Sequence, residues 1–184
     1  MLDVAVAHDR FRFLGNEFLT WLWYVIESEP DHLRRIDENL TALELGNRLV
    51  VQNHRQQTTE TVTIRGDEAG MEEGILALKK GALVAEINLT YRSGDQTWHF
   101  SLKGEDLQLS GLKVPQTAPV ESGEDIEGAV IEKAALCQRS IDLIDGLYFE
   151  FLRLRLDDLW TAKVLPRMRG WIGSKNSPKN RQTA

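Results

Sequence analysis

Side chains able to do chemistry are sparse in this 184-residue chain, and their spacing is poor for it. The adjacent acidic pairs Glu72-Glu73, Glu105-Asp106, Glu124-Asp125 and Asp157-Asp158 are the residue type a nuclease uses to hold a divalent metal. Adjacent carboxylates on turns or helix starts serve more simply as solvated charge or as complements to a helix dipole, and Glu124-Asp125 stands where a helix is expected to begin. His8-Asp9-Arg10 has the look of a catalytic fragment without a third partner. Four scattered histidines and one cysteine, Cys137, do not make a zinc set. Neither a glycine-rich phosphate loop nor a nucleophile elbow occurs. The expectation is a chain with no enzymatic activity, no metal and no cofactor.

What remains is charge. Arg153, Arg155, Lys163, Arg167, Arg169, Lys175, Lys179 and Arg181 cluster at the end of the chain, with Trp160 and Trp171 between them. Basic side chains neutralise phosphates without reading sequence, and aromatic rings can stack on unpaired bases. Net charge is −6, yet residues 151–184 hold eight cations against Asp157 and Asp158. An acidic body with a basic end is one signature of a nucleic-acid contact. Arg153, Arg155, Lys163, Arg167 and Arg169 are therefore the expected phosphate contacts. The same residues could instead favour a helix C-terminus or pair with the chain's own carboxylates.

These residues need a scaffold, and the composition supplies one: 42% hydrophobic and 27% charged is ordinary for a globular protein. A lone cysteine excludes an internal disulfide and fits a reducing compartment. Residues 1–17 carry Asp3, Asp9 and Glu17 and no long apolar run, so no signal peptide is expected. The expected location is the cytoplasm, at the nucleoid if DNA is bound.

The most apolar stretch is Phe18–Ile26, in which only Thr20 is polar. Asn16 is a plausible helix cap, and the run predicts a helix buried on all sides, ending near Glu29 before Pro30. It is too short to span a bilayer, which takes about 20 apolar residues. Leu2, Val4 and Val6 alternate as in a short edge strand. Leu43/Leu45 and Leu49–Val51 flank a Gly46-Asn47 turn, and residues 52–60 read as a loop or a strand extension before Thr61–Arg65. A helix is predicted over 69–80, stopped by Gly81. Then come three alternating runs: Leu83–Arg92, with Leu83, Ala85, Ile87, Leu89 and Tyr91 on one face; Thr97–Lys103; and Leu107–Val114. They predict an antiparallel meander with one apolar and one wet face.

Pro115–Gly123 reads as a linker. Beyond it Val130, Ala134, Cys137, Ile141, Ile144, Tyr148 and Phe151 step at helix-seam spacing, widened by Leu136, Leu143, Leu147 and Leu154. A single long helix is predicted over about 122–163. Pro166, Gly170, Gly173 and Pro178 should end regular structure. The expected organisation is one α+β domain over 1–165, an antiparallel meander packed with helices and closed by the long C-terminal helix, and a basic flexible tail over 166–184.

Two regions resemble the recombination-associated protein RdgC family of bacterial DNA-binding proteins. One is Glu17-Phe18-Leu19-Thr20-Trp21-Leu22-Trp23-Tyr24. The other runs from Met71-Glu72-Glu73 through Lys80–Val84, Ile87-Asn88-Leu89 and Trp98-His99-Phe100 to Leu107–Lys113, with the helix around Ile141–Leu152 as closing element. The resemblance covers most of residues 13–160 and matches the C-terminal half of the family. It implies a homodimer on duplex DNA, sequence-independent binding, a role in recombination and replication, and no enzyme activity. Two departures stand beside it. The family's N-terminal portion has no counterpart, which argues against a closed ring, and the turn that carries basic or amide residues in the family reads Gly66-Asp67-Glu68 here. Acid at that turn repels phosphate, and the alternative is an assembly module of the same fold that has lost DNA binding.

Overall fold

A computed structural model describes residues 4–55, 58–66, 68–117 and 126–174, with backbone alone for 4–13, 54–55 and 68–71. Helix α1 (Val4–Ser28) and the single turn α2 (Pro30–Arg34) precede the hairpin β1 (Ala42–Arg55) and β2 (Thr58–Arg65). Helix α3 (Glu68–Lys79) leads to the meander β3 (Leu83–Ser93), β4 (Gln96–Lys103) and β5 (Leu109–Lys113). Helix α4 (Ile126–Leu156), a π-helical turn (Trp160–Val164) and helix α5 (Leu165–Ser174) complete the chain. All strand pairs are antiparallel in one five-stranded sheet of order β2-β1-β3-β4-β5. This is the α+β architecture that the alternating runs and the long helical pattern predict.

The expected apolar helix is the centre of the molecule. Phe18, Leu19, Trp21, Leu22, Trp23 and Val25 are all buried, packed between the sheet and the other helices. Thr20 earns its place in that run: its hydroxyl donates to the Asn16 carbonyl at 2.8 Å and accepts the Val84 N–H at 3.0 Å. That N–H is orphaned by a β-bulge. Val50 pairs with Glu86 but Val51 pairs with Val84, leaving Ala85 as the extra residue. The bulge also corrects the expected pattern. Val84, not Leu83 or Ala85, faces the core, and the regular alternation holds only from Ile87 onward.

Four further sequence expectations are corrected. Helix α1 starts at Val4 rather than at Asn16, so residues 4–6 are not a strand. Gly15 lies inside the helix because the Gly104 carbonyl crosses there; a Cβ on Gly15 would come within 1.6 Å of that oxygen. Gly46-Asn47 is not a hairpin turn: β1 runs through it with a register shift between Leu45 and Leu49, and residues 52–55 and 58–60 extend the two strands. The long helix is divided. It ends at Leu156, where the Asp157 carboxylate accepts the Leu159 N–H at 2.8 Å and turns the chain.

The fourth correction concerns the expected tail. Residues 165–174 are helical, with Pro166 in the first turn of α5, which follows the π-helical turn without a break. The predicted helix start over 122–125, most of the 115–123 linker, Asp67 and residues 175–184 lie outside the described residues. Side-chain assignments to His8, Asp9, Arg10 and Met71 lie outside them as well.

Candidate interaction surface

Three of the five expected phosphate contacts are already neutralised. Arg153 donates from Nε and Nη2 to both carboxylate oxygens of Glu150, at 2.8 and 2.7 Å. Those bonds hold the Glu150 carboxyl below the ordinary carboxylate value, with His32 Nε2, 3.0 Å away, adding to the effect. Arg155 Nε donates to Glu17 at 2.8 Å, and its guanidinium lies 5.5 Å over the Trp160 ring. Arg167 Nη1 donates to Glu29 at 3.2 Å, and Glu29 also accepts the Tyr24 hydroxyl at 2.5 Å. Lys163 and Arg169 are exposed and have no carboxylate partner among the described residues.

The interleaved tryptophans are not stacking platforms. Trp160 and Trp171 are only 4% and 7% exposed. Trp160 meets Phe151 edge-on, and Trp171 meets Trp23 and Tyr24 edge-on while its indole N–H donates to Glu27 at 3.3 Å. Both rings fasten the end of the chain to the core. The remaining chemical candidates are local structure too. Asp106 accepts the Gln108 N–H at 3.0 Å within a turn, His99 sits 3.1 Å from the Thr90 hydroxyl on the wet sheet face, and Cys137 is half-buried on α4. Among the described residues no group of three His, Cys, Asp or Glu could hold a metal ion, and no helix is long and apolar enough to cross a membrane.

Helix α4 carries the surface that the sequence reading misassigns. The predicted seam places Val130 and Ile141 inward. The structure buries Ile144 and Phe151 of that seam, the widening residues Leu136, Leu143 and Leu147, and Ser140, but leaves Val130 and Ile141 exposed. Rotation of α4 about its axis is fixed by polar bonds that periodicity does not reveal. Trp98 Nε1 donates to the Leu136 carbonyl at 2.9 Å, and Arg139 donates to Tyr91 Oη at 3.0 Å and to Ser93 Oγ at 2.8 Å.

The solvent side of α4 is mixed, with exposed Glu127, Glu132, Lys133, Gln138, Asp142, Asp145 and Arg153 interspersed with apolar side chains. Ile126, Val130, Ile131, Ile141, Phe149 and Leu156 are exposed, Phe149 to 71% and Leu156 to 87%. Through Ala135 the helix is uncovered or half-covered on every side. A signal for this was present in the sequence: α4 has more apolar residues than one buried face can hold. No family model, curated protein or solved structure matches the chain. Fold and surface define a five-stranded antiparallel α+β protein whose long helix carries most of the exposed large apolar side chains among the described residues.

Proposed function

We propose that this chain is a non-enzymatic assembly module that pairs with a second copy of itself through the outward face of α4. The supporting observation is where the exposed apolar side chains lie. Of nine large ones among the described residues, six are on α4. Scattered single residues of this kind are ordinary, whereas a concentration along one element marks an interaction site.

Charge favours an antiparallel second copy as the occupant. Residues 126–145 hold four carboxylates against two cations, and residues 146–174 hold three carboxylates against five cations. Two copies laid antiparallel oppose the two helix dipoles and set each acidic front toward Lys163 and Arg169, the two cations of that back without a carboxylate partner among the described residues. Helix α4 is about 46 Å long at ~1.5 Å per residue, long enough for several turns of contact.

Sedimentation equilibrium tests this reading. Wild-type chain should show twice the monomer mass, and Ile131→Glu with Ile141→Glu should halve it while leaving circular dichroism unchanged, since both side chains are exposed. A wild-type chain that stays monomeric at every concentration overturns it.

A DNA-associated role of the RdgC-like kind is the second reading, supported by Lys163 in the π-helical turn and Arg169 in α5, both exposed and without partners among the described residues. Contacts by these two cations alone predict duplex binding with a log–log salt slope of about −2, since each neutralised phosphate contributes about −0.9. No binding at low salt removes it.

A further inference from the structure

A second surface lies at the opposite edge of the sheet, where the far ends of β1 and β2 extend beyond the cover of the core helices. A groove of about 280 Å³ opens there, on the core-facing side of the hairpin, walled by α3. Its floor is two cross-strand pairs in register, Val51 with Val62 and Asn53 with Glu60. Its wall is the α3 row Glu73, Leu76, Ala77 and Lys80, spaced to share one helix face. Asn53 Nδ2 donates to the Lys80 carbonyl at 3.2 Å and ties floor to wall. Val62 is 38% exposed and Leu76 45% exposed, and both contribute to the groove.

Beside this groove runs an open strand edge. Among the described residues β2 is the terminal strand, and its stretch from Glu60 to Arg65 has a paired strand only in β1. Such an edge is a template for another strand, and proteins commonly blunt it with lysine, proline or an inward-pointing charge. β2 has no lysine or proline, and its inward charge is Glu60. Two copies of β2 would set Glu60 against the partner's apolar row, which disfavours self-pairing. Glu60 and Glu73 face the groove with Lys80 as the one cation, and none of the three is in an ion pair among the described residues.

We infer that the β2 edge and the α3 groove together bind an extended, basic segment of a partner protein by strand addition. The partner strand pairs with β2 through its backbone and lays alternate side chains into the groove. Its recognition pattern follows from the register. In an antiparallel strand, the residue opposite Val62 is apolar and the residue two positions later, opposite Glu60, is Lys or Arg. This site is separate from the α4 face and does not depend on pairing through it.

The test uses two labelled synthetic peptides, Ser-Val-Thr-Val-Thr-Lys-Ser and the same peptide with Glu in place of Lys, titrated into the full chain by fluorescence anisotropy. The Lys peptide should bind saturably and about five- to tenfold more tightly than the Glu peptide, as expected when an opposite-charge cross-strand pair replaces a like-charge one. Glu60→Lys should reverse the preference, and Leu76→Asp should abolish binding of both, with unchanged circular dichroism because both residues are exposed. Hydrogen exchange should show new protection confined to the amides of β2. Equal affinity for the two peptides, no saturable binding up to the solubility limit, or protection elsewhere overturns the inference. So does binding that requires deletion of residues 175–184, which would make the chain's own end the occupant, or a peptide that splits a dimer, which would make it a second copy.

Discussion

Arg139 Nε donates to the hydroxyl of Tyr91 at 3.0 Å and, with the Arg139–Ser93 bond, joins the long helix to the central strand of the sheet. The Tyr91 hydroxyl in turn donates to Asp37 at 2.7 Å, and the Arg139 guanidinium lies 5.7 Å over Trp98. Three elements distant in sequence thus share one polar clamp at the edge of the apolar core. Its members act as a unit, so their removal is not additive. Arg139→Leu should cost about 1.5–3 kcal/mol, the range for hydrogen bonds to a charged group. Arg139→Lys should recover little, because a single ammonium cannot reach both Tyr91 and Ser93 as the planar fork does. Chemical denaturation of Arg139→Leu, Tyr91→Phe and the double variant should give a coupling energy of about 0.5–3 kcal/mol. A coupling of zero would show that the clamp contributes nothing beyond its separate contacts.

Thr20 is the other polar anchor of the core. Replacing it by Val keeps the shape but removes the acceptor of the bulged Val84 N–H, which is buried with it. A buried donor without a partner costs about 1–3 kcal/mol, whereas Thr20→Ser keeps the hydroxyl and should lose less. For a chain of this size each kcal/mol lowers Tm by about 2–4 °C, so the two variants are separable by calorimetry.

Gly15 and Gly104 meet where α1 crosses the β4–β5 turn. A Cβ on Gly104 would come within 2.3 Å of the Asn16 side chain, and one on Gly15 would meet Gly104 backbone, which cannot move aside as a flexible side chain can. Gly15→Ala should therefore be destabilising by about 1–3 kcal/mol or more, although alanine is the better helix former. A stabilised Gly15→Ala variant, measured by urea unfolding, would refute the close approach.

These particulars show what was legible in the sequence. Strand alternation in β3 and β4 is readable because one face is wet, and the wholly apolar run in α1 identifies the buried helix directly. The bulge at Ala85 is not readable, since it depends on which residue of β1 lies opposite. Gly46 reads as a turn residue, yet it is there because a Cβ would fall 1.8 Å from the Asn88 side-chain oxygen across the sheet. Periodicity found α4 and its buried stripe through Leu136, Leu143, Ile144, Leu147 and Phe151 but extended it wrongly to Val130 and Ile141, because the bonds of Arg139 and Trp98 that set the rotation are not periodic. The basic cluster was visible as composition. Its ion pairs with Glu17 and Glu29 were not, since each spans 138 residues of sequence.

Alkaline pH should destabilise the fold. Tyr24, Tyr91 and Tyr148 are each held above the ordinary phenol value of 10.0, with burial the largest cause in each case. For Tyr24 the carboxylate of Glu29 adds to it, and for Tyr91 the Arg139 hydrogen bond works the other way. In the unfolded chain these phenols ionise near pH ~10 while in the folded chain they stay protonated, so the unfolded state binds fewer protons and stability falls as pH rises through that range. Urea midpoints should be flat from neutral pH to about pH 9 and decline above it. Tyr24→Phe should shallow that decline, and an unchanged slope would place the loss elsewhere.

The end of the chain gives the sharpest contrast between a tail and a docked helix. Trp171 packs against Trp23 and Tyr24, Glu27 accepts both the Trp23 and the Trp171 indole N–H groups at 2.6 and 3.3 Å, and Arg167 holds Glu29. Met168 is buried beside them. An unstructured basic tail would be cut by trypsin at Arg167 and Arg169 as fast as any peptide. A docked α5 should resist, because cleavage needs the helix to open first. Trp171→Ala removes a buried aromatic, a change that costs about 3–5 kcal/mol in a core, but here the loss should fall on the docking of α5 rather than on the whole fold. Cleavage at Arg167 and Arg169 should then accelerate by orders of magnitude while the unfolding midpoint of the rest moves little. Freed from Glu29, Arg167 would join Lys163 and Arg169 as an available cation. If Trp171→Ala also acquires a steeper salt-dependent affinity for duplex DNA than the wild type, the docked helix masks a polyanion site; if affinity is unchanged, the basic end serves the fold alone.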